Sequence, residues 1–174
     1  MIFTVVASGE SARHWVRRGI CIGSNDVNKW GQEVDYLILA NHPGKFKERL
    51  TTIKKSKANV LTTSKKQWGK IFPSCEQITR VTSFNQRIVN GFIYTSSTTP
   101  IMCISLGIKL GAKDIILWGV DMINHRVWSK GTKQGNREIA IYLRFFDACQ
   151  KIGVKLYLGA NNTAFDSILP LYHD

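Results

Sequence analysis

The sequence predicts an α/β fold: a Rossmann-like, mostly parallel sheet with helices on both faces, in a single domain over residues 1–174. Three observations carry this expectation. Short β-branched runs alternate with helix-compatible segments along the chain, which is the pattern of strands joined by helical crossovers. Several of these runs end in small polar turns of the same kind, at Ser8-Gly9, Asn25 and Asn41. The length of 174 residues suits one domain with a substantial core.

Taken in order, Ile2–Ala7 reads as the first strand. Ser8-Gly9-Glu10-Ser11 turns it into a helix from Ser11 to about Arg18, with Ser8 or Ser11 available as cap. Gly19–Ile22 is a second strand, ending at Gly23-Ser24-Asn25-Asp26. Asp35–Ala40 is a third, ending at Asn41-His42-Pro43-Gly44. A basic helix from Lys45 to Lys55 then leads into strand Asn59–Thr63, and Gln77–Thr82 predicts another strand. Pro100 to Leu110 is an apolar helix whose proline sits in the first turn, where its missing N–H is harmless, and Gly111 ends it. Asp114–Gly119 is the central strand and Arg137–Lys151 a long amphipathic helix, with Gly153 beyond its end. Val154–Leu158 is the last strand, and Asn161–Leu169 a short terminal helix. The segment 123–136, rich in Lys, Gly and Asn, is the expected lid-like loop.

Composition narrows the class. An apolar fraction of 44% with 21% charged residues is that of a soluble globular chain. No apolar run approaches the ~18 residues of a membrane span. The opening MIFTVVASGES reads as a strand, not as a signal peptide. Cys21, Cys75, Cys103 and Cys149 are far apart and form no CxxC pair, so reduced core thiols and a cytoplasmic setting are expected. The net charge of +12 attracts anions, and it is concentrated. Between Lys45 and Lys70, nine basic residues face a single acid, Glu48. Within that run Lys45, Lys47, Lys54, Lys55, Lys57, Lys65 and Lys66 form an expected surface for DNA or another polyanion, through backbone phosphates and not base edges.

Chemistry is sought at the carboxyl ends of the strands, where open α/β sheets bind ligands. Ser8, Gly9, Asn25, Asn41, Thr98 and Thr99 carry short hydroxyl or amide groups, or free helix N–H groups, that hold phosphate, ribose and base edges without charge. Gly119, Asp121 and His125 follow the central strand and bring reactive groups to the same end. Neither GxGxxG nor GxxxxGK[ST] is present, which disfavours a standard dinucleotide fold and a P-loop NTPase. The sequon Asn161-Asn162-Thr163 reads as chance.

The segments VVASGES, CIGSND, LILANHP, TTPIMCISLGIKLGAKDIILWGVDM and VKLYLGANNTAFDSILP, in this order, resemble the bacterial sialyltransferases of glycosyltransferase family 42 and related proteins, in a shortened form. The resemblance implies a cytidine-type nucleotide sugar lying over the strand ends, a uridine type being the other option, and no metal. It implies that Ser8, Gly9 and Ser11 approach phosphate and ribose, with Glu10 of the same turn also expected at the nucleotide, and that Asn25 and Asn41 approach phosphate and sugar. Thr98 and Thr99 would face the nucleotide, with Gly119, Asp121 and Met122 around ribose and base. The family's longer lid holds tyrosines and a histidine base; the insert here contains no tyrosine and one histidine, His125.

Glycosyl transfer needs a base for the acceptor hydroxyl and cations for the departing phosphate. His125 is the expected base, with His42 competing, and Asp121 would orient His125 or a ribose hydroxyl. Arg126, Lys130 and Lys133 would neutralise the phosphate, Arg87 in the trio Asn85-Gln86-Arg87 would touch phosphate or acceptor, and Trp128 would stack or latch. The expected function is transfer of a sugar to a hydroxyl acceptor, preferably modified bases in DNA, as in virus-encoded DNA glycosylation, where a base flips out of its duplex. Alternatives are a glycan-directed sialyltransferase-like enzyme, a non-catalytic nucleotide-binding protein, and a plain nucleic-acid-binding module.

Overall fold

The computed structural model describes residues 1–81, 88–89 and 91–173. Its strands are β1 (Ile2–Val6), β2 (Ile20–Ser24), β3 (Tyr36–Leu39), β4 (Asn59–Thr62), β5 (Glu76–Gln77), β6 (Arg80–Val81), β7 (Ile93–Tyr94), β8 (Asp114–Trp118) and β9 (Lys155–Leu158). The helices are α1 (Leu50–Lys54), α2 (Lys65–Trp68), α3 (Pro100–Lys109) and α4 (Lys133–Lys151). Seven strands form one parallel sheet in the order β5-β4-β3-β2-β1-β8-β9, and β6 pairs with β7 in parallel beside it. The chain runs outward from β1 to β5, then returns to place β8 on the other side of β1. The two halves of the sheet therefore diverge between β1 and β8.

Alternate side chains of the strands feed two layers, as a sheet covered on both faces requires. Phe3, Val5, Ile22, Ile38, Ile115 and Leu117 pack with α3 and α4, against Met102, Cys103, Tyr142, Phe145 and Phe146. Val6, Cys21, Leu37, Leu39 and Val60 face the other way, onto Trp15, Val27, Phe46, Ile53 and Trp68. Helix α3 is buried from Ile101 to Ile108, which explains why its sequence is apolar all round. The four cysteines are free and buried, and burial pushes the thiols of Cys103 and Cys149 far up. Among the described residues no helix is long and apolar enough to cross a membrane.

Several element boundaries differ from the sequence reading. The expected helix from Ser11 to Arg18 is a 3-10 turn, Glu10–His14, after which Trp15 is extended and dives into the second core. The expected helix Lys45–Lys55 is broken into 3-10 turns at Pro43–Lys45 and Lys47–Arg49 before α1, because Lys47 takes φ +47°. Seating the buried Phe46 outweighs helix propensity there. The expected strand from Gln77 divides: β5 joins the main sheet and β6 leaves it, while Thr82 lies outside the described residues. Asn161–Leu169 forms turns, not a helix. Asp166 there accepts the N–H groups of Asn162 and Thr163 at 2.9 Å each, and Asn162 takes φ +67°.

Helix α4 begins at Lys133, four residues before the sequence reading placed it. Thr132 is extended and its hydroxyl accepts the Gly135 N–H at 2.9 Å, a regular N-cap. The connecting loop therefore ends at Thr132, and residues 133–136 of the expected lid belong to the helix.

Candidate functional site

The carboxyl ends of β1, β2, β3 and β8 open into a cavity of about 980 Å³. Its position at the divergence of the sheet is where open parallel sheets bind ligands, and its size is that of a small-molecule site. The sequence-predicted residues Ser8, Gly9, Glu10, Asn25, Asn41, Thr98, Thr99, Gly119, Asp121, Met122 and His125 line it, as does Trp128.

Ser11 does not line it but builds it. Its N–H donates to Asp121 Oδ2 at 2.9 Å, its hydroxyl donates to Asp121 Oδ1, and that hydroxyl accepts the Gly119 N–H at 2.8 Å. Asp121 is 5% exposed and both its oxygens are occupied. The carboxylate thus clamps the turn after β1 to the turn after β8. Gly9 lies between them, and a Cβ there would sit 2.4 Å from Gly119 O and 2.6 Å from Asp121 Oδ2. Its own φ of −68° suits any residue, so glycine is required here for close approach, not for conformation.

A second clamp joins the turns after β1 and β2. Asp26, 2% exposed, accepts the Ser8 hydroxyl at 2.9 Å and the Arg49 guanidinium at 2.6 Å, while Lys29 Nζ donates to the Ser8 carbonyl at 3.0 Å. Arg49 is half-exposed and, with Lys45, lines the cavity as a cation. Sequence reasoning passed over both members of this pair. Asp26 directly follows the predicted Asn25, and Arg49 sat inside the basic run read as outer surface. The lone proline turn at His42-Pro43 was the available signal that the run bends back toward the strand ends.

The floor is formed by Asn25 and the turn before α3. Asn25 takes φ +55°, a left-handed position that asparagine tolerates, and its Nδ2 donates to Thr99 Oγ1 at 3.0 Å. Its Oδ1 is buried and has no partner among the described residues. An unpaired buried acceptor is the exception in folded proteins, and this one belongs to a residue that lines the cavity. Thr98 is held from behind: Glu138 Oε1 accepts its N–H at 3.1 Å and its hydroxyl at 2.8 Å, and the Tyr142 hydroxyl lies 2.8 Å from Thr98 Oγ1. Burial drives the Tyr142 hydroxyl well above its ordinary range, more than the Thr98 contact lowers it, so it stays protonated.

The loop 123–132 forms the remaining wall and is bonded largely to itself. Lys130 N–H closes its neck on the Met122 carbonyl at 2.8 Å. His125 Nδ1 accepts the N–H groups of Val127 and Trp128 at 3.1 Å each, and the His125 N–H donates to the Ser129 hydroxyl. With Nδ1 occupied in this way, the neutral ring carries its proton on Nε2 and presents a donor. His42 caps its own turn by accepting Gly44 N–H at 3.0 Å and is not on the cavity wall. Arg126, Lys130 and Lys133 are exposed and likewise off the wall. Of the basic run Lys45 alone among the predicted lysines lines the cavity; Lys47, Lys54, Lys55, Lys57, Lys65 and Lys66 are exposed beyond it. Asn85, Gln86 and Arg87 lie outside the described residues. No group of three or more His, Cys, Asp or Glu side chains placed to hold a metal occurs among the described residues.

No protein-family model matches the sequence, and no curated relative does. Solved structures do. The chain is similar to the apo form of an α-2,3-sialyltransferase from Campylobacter jejuni, with a TM-score of 0.60 and 15% identity over 99% of this chain and 80% of that one. It is similar to the Campylobacter jejuni sialyltransferase CstII in complex with the substrate analogue CMP-3FNeuAc, with a TM-score of 0.56 and 11% identity over 97% and 85% of the two chains. A structure of the same sialyltransferase with a trisaccharide acceptor and CMP gives a TM-score of 0.57, 13% identity, and the same coverage. The resemblance read from the five sequence segments thus extends to the whole fold, which this chain shares with sialyltransferase structures.

Proposed function

We propose that this chain is a glycosyltransferase that binds a cytidine-type nucleotide sugar over the ends of β1, β2, β3 and β8 and passes the sugar to a hydroxyl acceptor. The observation that carries the reading is the cavity itself, walled by the neutral polar tips of the strand ends, Asn25 among them, and by the two cations Lys45 and Arg49. Support comes from the shared fold with a structure that holds CMP and a trisaccharide acceptor.

In this reading Asn25, Thr99 and the turn after β1 bind the nucleotide, with Asn41, Gly119 and Met122 shaping the wall. Arg49 and Lys45 neutralise the departing phosphate in place of Arg126, Lys130 and Lys133, which do not reach the cavity. His125 contributes Nε2–H as a donor to the phosphate, its Nδ1 being held by the N–H groups of Val127 and Trp128. Of the three carboxylates on the wall, Asp26 and Asp121 have both oxygens engaged. Glu10, exposed and 3.6 Å from Arg13, is the one open to an acceptor hydroxyl and serves as its base. Trp128 offers a face for the acceptor.

A glycan is the acceptor that the shared fold favours. DNA with hydroxyl-bearing bases is the second reading, favoured by Lys45, which begins on the cavity wall a basic run that continues over the exposed surface. The test is a thermal-shift screen of nucleotides and nucleotide sugars, then mass spectrometry of oligosaccharide and DNA acceptors incubated with each donor. A ligand at a hundredfold excess over its Kd adds about 2.7 kcal/mol to stability, a readily measured shift. Absence of any shift with CMP or CMP-sugars would exclude the donor reading. Binding without transfer to either acceptor would leave a nucleotide-binding protein.

A further inference from the structure

We infer that Glu138 is a positioning residue of the nucleotide site, holding the turn Thr98–Thr99 in the geometry that the ligand meets; this rests on the donor reading above. Glu138 is the one acid in the first two turns of α4, on a helix that otherwise carries its charges on the solvent side. It is 1% exposed, and it forms no ion pair among the described residues. Burying a carboxylate is unfavourable unless its hydrogen bonds are made, so what it bonds explains why it is there.

Its Oε1 takes both donors of Thr98, the N–H at 3.1 Å and the hydroxyl at 2.8 Å. Since that hydroxyl donates to Glu138, it accepts from Tyr142, one turn further along α4, at 2.8 Å. The bond directions of the trio are therefore settled, and the Thr98 side chain has no rotamer left to choose. Thr99, next in the chain and 6% exposed, accepts from Asn25 Nδ2 at 3.0 Å, and both residues line the cavity. A movement of Thr98 is passed along one peptide to Thr99 and across one hydrogen bond to Asn25. The same helix begins at the loop carrying His125 and Trp128, so Glu138 also sets the distance between that wall and the floor.

The experiment measures CMP affinity by calorimetric titration, with thermal unfolding in parallel, for the full chain and for Glu138→Gln, Glu138→Ala and Thr98→Val. Glutamine keeps an acceptor oxygen in the same place and is expected to bind CMP within about twofold of the parent chain, whereas alanine is expected to weaken CMP about tenfold. A purely structural role would lower the unfolding temperature and leave the affinity of the folded chain unchanged. If Glu138→Ala does not fold, Thr98→Val, which keeps volume and removes the hydroxyl, is read in its place and is expected to weaken CMP similarly. Folded Glu138→Ala or Thr98→Val with parental affinity overturns the inference, and so does folded Glu138→Gln that has lost binding. Failure of the parent chain to bind CMP overturns the donor reading instead.

Discussion

Replacing Asp121 by alanine tests whether that carboxylate holds the fold together or serves the ligand. Both of its oxygens are used by Ser11, from the N–H and from the hydroxyl, and the residue is 5% exposed. A hydrogen bond to a charged acceptor contributes about 1.5–3 kcal/mol, so losing two removes about 3–6 kcal/mol, a large part of the ~5–15 kcal/mol of a typical domain. The lower half of that range is expected, because the Ser11 hydroxyl still accepts from Gly119 N–H at 2.8 Å and can turn toward water. The assay is urea unfolding at neutral pH, reading the midpoint at constant slope. Ser11→Ala and the double variant close a cycle. Because the two residues are in contact, the double variant should lose clearly less than the sum of the singles, with a coupling of about 1–3 kcal/mol. A loss below about 1 kcal/mol for Asp121→Ala, or strict additivity, would refute the clamp and return Asp121 to a ligand-facing role.

Other expectations follow from the same geometry. Gly9→Ala drives a methyl group to 2.4 Å from the Gly119 carbonyl, and should cost about 1–3 kcal/mol in urea unfolding while weakening CMP binding. Arg49→Ala leaves Asp26 buried with the Ser8 hydroxyl but no cation. Since Arg49 is half-exposed, the loss should fall between the ~1 kcal/mol of a surface pair and the ~3 kcal/mol of a buried one, with a larger effect on CMP affinity than Lys54→Ala shows. Glu10→Gln should lower kcat with KM for the nucleotide sugar unchanged, and equal loss in binding would remove Glu10 from the base role. Asp35 supplies a pH signature away from the site. Burial works to raise its carboxyl, but hydrogen bonds from Cys21 N–H and the Arg17 guanidinium outweigh it and hold the group below its ordinary value near ~3.9. Its contribution is therefore present above about pH 4 and lost as pH falls through the depressed value; Asp35→Asn should flatten that part of an acid-unfolding curve.

Much of the site was legible because strand ends announce themselves. Ser8, Asn25 and Asn41 each follow a compact apolar run, and the parallel sheet that such runs imply brings their ends to one rim. What sequence reasoning assigned by chemical type alone fared differently. Arg126, Lys130 and Lys133 were the cations closest in sequence to His125, yet they do not line the cavity, whereas Arg49, 77 or more positions earlier than any of them, does. His125 looked like a free imidazole, but its Nδ1 is spent on two backbone N–H groups two and three residues later.

Local chemistry was enough for the longer periodic elements: β1 to β4, β8 and β9, the proline-started α3 and the amphipathic α4 are dictated by neighbours within a few residues, whereas the division of the Gln77 strand into β5 and β6 and the pairing of β7 are not. It was not enough where a long-range contact sets the backbone. The 3-10 turn at Glu10–His14 exists because Ser11 is bonded to Asp121, 110 positions away, and the break at Lys47 because Phe46 has a core to fill. Helix and strand preferences act over one or two turns, whereas a buried carboxylate such as Asp121, Asp26 or Glu138 takes whichever donors the completed fold delivers to it. Which polar groups are spoken for, and which remain open to a ligand, is settled only when those distant partners meet.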